Sequence, residues 1–173
     1  MSAYEEQLQA CLPDLWRYGY ALCRNRDQAD DLVQDCAERA LRKRHLWRPT
    51  AALKPWLMKM LVNLYRNQVR DQSRRPVLVA MDTGAREPAA PDGLAARLHL
   101  GDCARALQVL PEEQREALLL VVIGGLSYKD AAAALGLPLG TLMSRLGRAR
   151  AALREATDNV RHSPATNQRP TRT

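Results

Sequence analysis

Residues 125–153, GLSYKDAAAALGLPLGTLMSRLGRARAAL, contain the pattern that decides the fold of the second half of the chain. Ser127 stands three residues before Asp130, a spacing typical of a helix N-cap, and Gly136 stands where a left-handed residue would end that helix. A second helix follows after only residues 137–139. A short helix, a tight turn and a longer basic helix are the outline of a helix-turn-helix.

The longer helix of this motif has two different faces. Its apolar residues recur at spacings of four, three and four, which predicts the side that packs into the core: Leu142, Leu146, Ala149 and Leu153. The opposite side carries small residues and arginines, namely Gly140, Thr141, Ser144, Gly147, Arg148 and Ala151, flanked by Met143, Arg145, Arg150 and Arg154. Small residues let a helix approach a DNA groove, and arginines pair with phosphates or guanine edges. A solvated basic face explains the helix taken alone; the whole motif favours DNA binding.

The segment before this motif predicts a helix that packs against it. Residues 106–123 read ALQVLPEEQREALLLVVI. Pro111 suits the first turn of a helix, and the carboxylates of Glu112 and Glu113 suit the positive end of the helix dipole. The glycine pair that follows is expected to end this helix.

In the first half, residues 27–42 predict a helix with an acidic face. The apolar stripe of DQADDLVQDCAERALR consists of Ala29, Leu32, Val33, Cys36, Ala40 and Leu41. The other side bears Asp31, Gln34, Asp35 and Glu38. Spacing leaves two interpretations open, a solvated face and a protein-binding face that recruits a basic partner.

Residues 54–70, KPWLMKMLVNLYRNQVR, predict a second helix in this half, with a basic face. The buried side is expected to hold Leu57, Met60, Leu61 and Leu64, and the exposed side Lys59, Asn63, Arg66, Asn67 and Arg70. Together with Trp47 and Arg48 in the preceding loop, these residues offer cations for phosphates, amides for base edges and an aromatic ring for stacking. The alternative is that the tryptophans are core residues, which is favoured for Trp56 and evenly balanced for Trp47.

Helical periodicity over most of the chain, with almost no strand signal, predicts an all-α protein of two small helical domains joined by a flexible linker. Residues 73–93 contain three prolines and two glycines without an amphipathic face. We therefore place the domains at residues 8–75 and 100–156, the linker at 76–99 and a disordered tail at 157–173. The formal net charge of +7 favours a polyanionic partner or an anionic surface.

Several classes of protein are not expected. The four cysteines form no C-x-x-C pair, and the histidines have no ligand spacing to them, so we expect structural or free thiols and no metal or cofactor. No residue set suggests catalysis or a small-molecule substrate, so no enzyme is predicted. With no apolar run of about 18 residues and an acidic N-terminus, the chain is predicted to be cytoplasmic.

Five segments together resemble the extracytoplasmic-function (ECF, or group 4) sigma factors of bacterial RNA polymerase. They are DDLVQDCAERAL, PWLMKMLVNLYRNQVR, LPEEQREALLL, GLSYKDAAAALGLPLGT and SRLGRARAALR. Each is moderately specific alone, and their order and spacing make the resemblance strong. It implies that residues 8–75 form sigma region 2 and residues 100–156 form sigma region 4.

The resemblance also implies partners and roles. Region 2 would bind the clamp helices of the largest subunit of core polymerase through Asp31, Leu32, Gln34 and Asp35. It would read the minus-ten promoter element through Trp47, Arg48, Lys59, Asn63, Arg66 and Arg70. Region 4 would contact the beta flap and read the minus-thirty-five element through Gly140, Thr141, Met143, Ser144, Arg145 and Arg148. An anti-sigma factor is a further expected partner.

Four positions depart from the family pattern. They are Val62, where the family often has Arg; Asn67, where it often has Asp; Met143, where a basic residue is common; and Gly147, where a larger side chain is common. The last two lie on the predicted reading helix, so the promoter sequence is less certain than the function. A stand-alone LuxR-like helix-turn-helix regulator is the main alternative, and an adaptor or anti-sigma-like regulator is a third.

Overall fold

The computed structural model describes residues 2–48, 51–74 and 107–162, and within these ranges the chain is helical without a strand. The helices are α1 (Ala3–Cys23), α2 (Arg26–Arg42), α3 (Leu53–Arg74), α4 (Glu112–Val122), α5 (Tyr128–Leu135) and α6 (Leu139–His162), with a 3₁₀ turn at Arg44–Leu46. The all-α prediction is confirmed. The predicted linker, residues 76–99, lies outside the described ranges.

The first half is a bundle of α1, α2 and α3, which pack pairwise. Sequence reasoning did not single out α1, which begins at Ala3 under a capping box formed by Ser2 and Glu5. Its Tyr4 hydroxyl donates a 2.8 Å hydrogen bond to the carbonyl of Ala40 near the end of α2. Residues before position 8 therefore belong to the fold of this half.

The buried faces of α2 and α3 follow the predicted stripes with two corrections. Leu41, expected in the core, is 45% exposed because it lies in the last turn of α2, beyond the packed part of the stripe. Met60 is only half-buried, whereas Met58 and Val62 are fully buried. The predicted stripe on α3 was narrower than the buried face, because α3 is packed from more than one side.

The cysteines within the described residues are free. The Cys36 thiol lies in the core and donates to the carbonyl of Leu57 at 3.6 Å. Burial raises the pKa of Cys36 to about 12 and that of Cys23 to about 11, so neither is a thiolate at neutral pH. Both thiols act as small apolar groups, as the sequence predicted.

The second half contains the predicted helix-turn-helix, α5 and α6, packed on α4. The hydroxyl of Ser127 accepts from the backbone N–H of Asp130 at 3.1 Å, and Gly136 ends α5 with φ of +68°. Pro111 is the N-cap of α4 and not part of its first turn, because proline's fixed φ also fits the cap position. On α6, Leu142, Leu146 and Ala149 are buried and Leu153 is half-buried, in agreement with the predicted stripe.

Helix α6 continues to His162, past residue 157 where the sequence predicted disorder to begin. The physical reason is local. Residues 157–162 contain neither glycine nor proline, and Pro164 is the first residue able to break the helix. A polar composition alone did not end it.

The two halves are in direct contact. Helix α3 packs against α5, and α1 packs against α4, so that the buried residues of both halves form one continuous hydrophobic core. The sequence predicted two domains and gave no indication of this interface. Among the described residues, no helix is long and apolar enough to cross a membrane, and no group of metal-ligating side chains is assembled.

Two glycines of the second half should respond oppositely to alanine. A Cβ at Gly124 would lie 2.5 Å from the carbonyl oxygen of Leu120, whereas a Cβ at Gly147, inside α6, meets nothing within 4 Å. We expect Gly124→Ala to lower the free energy of unfolding by more than about 1 kcal/mol and Gly147→Ala to raise it by about 0.5 to 1 kcal/mol. Urea unfolding followed by circular dichroism measures both changes in the free energy of unfolding. If both variants were stabilised, or both destabilised, the result would contradict the backbone path at the end of α4 or the open space at Gly147.

Candidate nucleic-acid and polymerase interfaces

The outer face of α6 is open to solvent. The predicted minus-thirty-five contacts Gly140, Thr141, Met143, Ser144 and Arg148 are all exposed, Met143 by 53%. The buried leucine stripe on the other side fixes this orientation. An exposed helix face of small residues and an arginine has the shape and the charge that a DNA groove requires.

Arg145 is the exception on this helix. Its Nη2 lies 2.8 Å from Oε2 of Glu113 on α4, and its side chain is only 17% exposed. Arg145 therefore does not face solvent as freely as Arg148. The sequence predicted Arg145 as a minus-thirty-five contact on the flank of the reading face; in the structure its guanidinium is paired with Glu113 and mostly covered.

A contact between Arg150 and Tyr128 joins the two helices of the motif, and sequence reasoning missed it. The Arg150 guanidinium donates to the Tyr128 hydroxyl at 2.8 Å and lies 5.9 Å from the ring centroid. An exposed cation over an aromatic ring contributes about 0.5 to 1 kcal/mol. No spacing rule could find it, because the residues are 22 positions apart and meet only through the turn.

The acidic face of α2 is exposed at Asp31, Gln34 and Asp35. Gln34 donates to the carboxylate of Glu38 at 3.3 Å, one turn further along the helix. Leu32 must be corrected: it was predicted to contact polymerase, yet its side chain is fully buried, because it belongs to the stripe that packs in the core. It supports the acidic surface from beneath.

Asp30, beside the acidic face of α2, already accepts a hydrogen bond from another helix. The indole N–H of Trp16 donates to Asp30 at 2.6 Å, and the Trp16 ring stacks on Tyr20 with centroids 5.2 Å apart. Asp30 therefore ties α2 to α1. This leaves Asp31 and Asp35 as the exposed carboxylates of the predicted docking residues.

The basic face of α3 presents Lys59, Asn63 and Arg70 to solvent. The guanidinium of Arg70 donates to the side-chain oxygen of Asn67 one turn earlier. Val62 does not share this face, since its side chain is fully buried. Val62, which stands where the family often has Arg, is therefore a core residue in this protein.

Trp47 is held by the protein itself. Its indole N–H donates to the carbonyl of Ala51 at 3.1 Å, and its ring lies 5.4 Å from the ring of Tyr4, tilted by 54°. The side chain is half-buried against the core, whereas Arg48 beside it is exposed. The sequence left core packing and base stacking evenly balanced for Trp47. In the structure the ring packs against the core and is still partly exposed.

Arg66, predicted to lie near DNA, is instead paired with Glu116 of α4. Its Nε and Nη2 donate to the two carboxylate oxygens at 3.2 and 2.7 Å, a bidentate geometry. The side chain of Glu116 is 3% exposed and that of Arg66 is 37% exposed. The hydrogen bond to Glu116 raises the pKa of Arg66 above its ordinary value.

These pairs border one groove between α3, α4 and the turn of the helix-turn-helix. Its volume is about 440 Å³, and its charged lining includes Arg66, Arg70, Glu112, Glu113, Glu116 and Arg145. Acids from α4 thus meet arginines from both α3 and α6. The sequence contained no signal for this groove, because α3 and α4 are separated by the undescribed segment.

Two family models match the chain, one in each half. Residues 102–153 match the Sigma-70 region 4 family, and residues 8–62 match the Sigma2 domain of PhyR. The ECF RNA polymerase sigma factor EcfG of Rhodopseudomonas palustris is 40% identical over 148 residues, which cover 86% of this chain and 81% of that protein. The chain belongs to the ECF sigma factors.

Other relatives of this sigma factor agree. The ECF sigma factor SigC of Mycobacterium tuberculosis is 33% identical over 154 residues, which cover 87% of this chain and 81% of the relative. In a solved structure, the sigma factor RpoE bound to the anti-sigma factor NepR from Bartonella quintana, RpoE is 33% identical with a TM-score of 0.76; the match covers 91% of this chain and 98% of RpoE. The PhyR–NepR complex of Sphingomonas sp. Fr1, at 22% identity and a TM-score of 0.67, shares the fold.

The family establishes the function at the level that the sequence predicted. The chain is a promoter-directing sigma factor, and these relatives do not support the LuxR-like alternative. The individual contact residues for polymerase and DNA are not tested by these matches and stay predictions.

Trp47 should contribute to stability before any DNA is present. We expect Trp47→Ala to lower the free energy of unfolding by about 2 kcal/mol, because it removes a half-buried ring, its contact with Tyr4 and an indole hydrogen bond. The exposed neighbour provides the control: Arg48→Ala should change stability by less than about 0.5 kcal/mol. Thermal unfolding of both variants without DNA is the measurement, and unchanged stability of Trp47→Ala would contradict the packing role of the ring.

Proposed function

We propose that this sigma factor binds core RNA polymerase through the acidic face of α2 and reads the two promoter elements with α3 and α6. The observation that carries the proposal is that three chemically different surfaces stand exposed on separate helices. One is acidic, one is basic with an amide, and one is small and basic. The acidic surface matches a basic protein partner, and the two basic surfaces match two elements of promoter DNA.

Polymerase docking is assigned to Asp31, Gln34 and Asp35. In a chain of net charge +7, an exposed acidic patch is electrostatically distinct from the rest of the surface. It would attract a basic partner and repel DNA, which separates the protein-binding face from the nucleic-acid faces. The partner expected from the family is the clamp-helix pair of the largest subunit; contact with the beta flap is assigned to region 4.

Minus-ten recognition is assigned to the exposed side of α3 and the loop before it. Lys59 and Arg70 would bind phosphates, and Asn63 offers an amide to a base edge. Capture of an extruded base near Asn63 and the exposed part of Trp47 would offset the few kcal/mol that unstacking costs. Arg66 would join these contacts only after release from Glu116.

Minus-thirty-five recognition is assigned to the outer face of α6. Gly140, Thr141 and Ser144 would allow close approach to the major groove, and Arg148 would reach a base edge. Met143 would add an apolar contact, as with a thymine methyl group. The two DNA readers would act together when polymerase holds them at a fixed separation, since two linked weak contacts bind as one tighter contact.

The chain is further proposed to act in the cytoplasm, without catalytic activity of its own, and to be controlled by an anti-sigma factor. Support for that partner comes from the similar sigma factor RpoE, which was solved in complex with the anti-sigma factor NepR.

Reversing the charge at Asp35 should abolish co-purification with core polymerase. Asp35→Arg places a cation in the proposed docking face while leaving the buried side of α2 unchanged. Glu155→Arg is the matched control, since it changes the net charge equally on an exposed part of α6. Pull-down with core enzyme should fail for the first variant only, and retained binding by Asp35→Arg would remove this docking face.

Arg148 should discriminate bases as well as bind phosphates. We expect Arg148→Ala to weaken binding of the holoenzyme to a minus-thirty-five element by about 1 to 3 kcal/mol. Arg148→Lys keeps the charge but loses the two-pronged donor of arginine. Compared with Arg148→Ala, it should bind all promoter sequences more tightly without preferring the correct base. Competition between promoters altered at single positions measures this, and full discrimination by the lysine variant would limit Arg148 to phosphate binding.

A further inference from the structure

Two large apolar side chains lie exposed in the first two turns of α6. Leu139 is 46% exposed and Met143 is 53% exposed. They are four positions apart, so their Cβ atoms are neighbours on the helix surface, about 5–6 Å from each other. We call this pair the apolar ridge. A large exposed apolar side chain is unfavourable in water, and two adjoining ones indicate a surface that a partner covers.

The exposed surface beside the ridge carries little side-chain bulk. A Cβ placed on Gly140 or Gly147 meets nothing within 4 Å, and Ser144 lies between them on the exposed side of α6. At 3.6 residues per turn, both glycines lie within about 60° of Met143 around the helix axis. A partner can therefore approach the backbone of α6 closely and contact the ridge at the same time.

Few polar side chains in this stretch can read bases. Of the two arginines in residues 139–149, Arg145 forms an ion pair and is only 17% exposed, whereas Arg148 is exposed. Hydrogen bonds from this stretch to base edges are therefore left to Arg148 and the hydroxyls of Thr141 and Ser144. The ridge accounts for much of the exposed side-chain surface that remains.

Charge indicates that the partner of the ridge is DNA and not a protein. Residues 139–150 contain arginines but no aspartate or glutamate. Arg150 lies about two turns beyond Met143 on the same side of α6, is exposed, and donates to the Tyr128 hydroxyl at 2.8 Å. Within this stretch the ridge has cations and no anion for neighbours, which favours a polyanion over a protein surface of mixed charge.

We propose that the apolar ridge reads the C5 methyl groups of thymines in the minus-thirty-five element. That methyl is the apolar group that thymine presents in the major groove, and the first residues of a recognition helix are those that reach base edges. Base pairs are stacked about 3.4 Å apart, so Leu139 and Met143 can contact methyl groups of adjacent pairs. Arg148 reads a base from the other edge of the exposed face. This inference rests on the proposed role of α6 in minus-thirty-five recognition.

The test uses the holoenzyme, the full chain reconstituted with core polymerase, and removes one methyl group at a time. A preferred promoter is first selected from a duplex library randomised over both promoter elements. Each thymine of its minus-thirty-five element is then replaced by deoxyuridine, which lacks only the C5 methyl and keeps every hydrogen-bonding group. Fluorescence anisotropy of the labelled duplex measures the dissociation constant.

Two variants replace the ridge side chains by an amide of similar size, Met143→Gln and Leu139→Gln. Because both residues are exposed, the fold should be retained, which circular dichroism checks. Val122→Gln is the matched control, since it places the same amide on an apolar residue of α4 that is 68% exposed and lies outside the proposed DNA-binding faces.

We expect deoxyuridine to weaken binding by the wild type about fourfold at one or two positions, the loss expected when one methyl group leaves an apolar contact. At the position that each ridge residue contacts, the same replacement should have no effect on binding by the corresponding variant. Val122→Gln should show the full wild-type loss.

Three results overturn the proposal: a selected element of G·C pairs only, no loss with deoxyuridine in the wild type, or equal losses in the ridge variants and the control. Ridge variants that no longer co-purify with core polymerase would assign the ridge to a protein partner, which also overturns it. If Leu139→Gln does not fold, Met143→Gln against Val122→Gln decides.

A scrambled minus-thirty-five element distinguishes failure of this inference from failure of the proposed function. If scrambling weakens binding by the wild-type holoenzyme but deoxyuridine does not, methyl reading is wrong and the role of α6 stands. If the scrambled element binds as tightly as the selected one, α6 does not read this element, and methyl reading falls with the proposed function.

Discussion

The bidentate ion pair between Arg66 and Glu116 is the polar constraint on how the two halves of this sigma factor meet. It is the polar centre of an interface whose apolar parts are α3 against α5 and α1 against α4. Because Glu116 is almost fully buried, it requires a cation for as long as the halves are together. Arg66 therefore has this anionic partner only while the two halves are together.

The ion pairs also neutralise two arginines of a basic chain. An exposed arginine in a chain of net charge +7 would attract any nucleic acid, since phosphate binding is largely independent of sequence. Pairing such arginines with carboxylates of the same chain reduces that attraction. Lys59, Asn63 and Arg148 stay exposed on the faces that are proposed to bind nucleic acid. Of the two paired arginines, only Arg66 has its partner on the other half.

The helix-turn-helix depends on a different kind of constraint, which is local. Ser127 caps α5, Gly136 supplies the left-handed residue that ends it, and the leucine stripe of α6 fixes which side faces outward. These are interactions between residues near in sequence, so α5 has the predicted boundaries and α6 begins within one residue of its predicted start. The end of α6 at His162 lies six residues beyond the predicted end. The capping box of Ser2 and Glu5 is an equally local signal for the start of α1, which the sequence prediction did not include.

The sequence by itself determined the helical class, the two halves, the helix-turn-helix and the family, because periodicity, caps and motif order are properties of neighbouring residues. It also placed Leu32 among the docking residues, although its own apolar stripe predicted the burial that the structure has. Only the tertiary structure decided which charged residues are free. Arg66 and Glu116 are 50 positions apart, and a partner at that separation is chosen by packing of the halves, which no local pattern encodes.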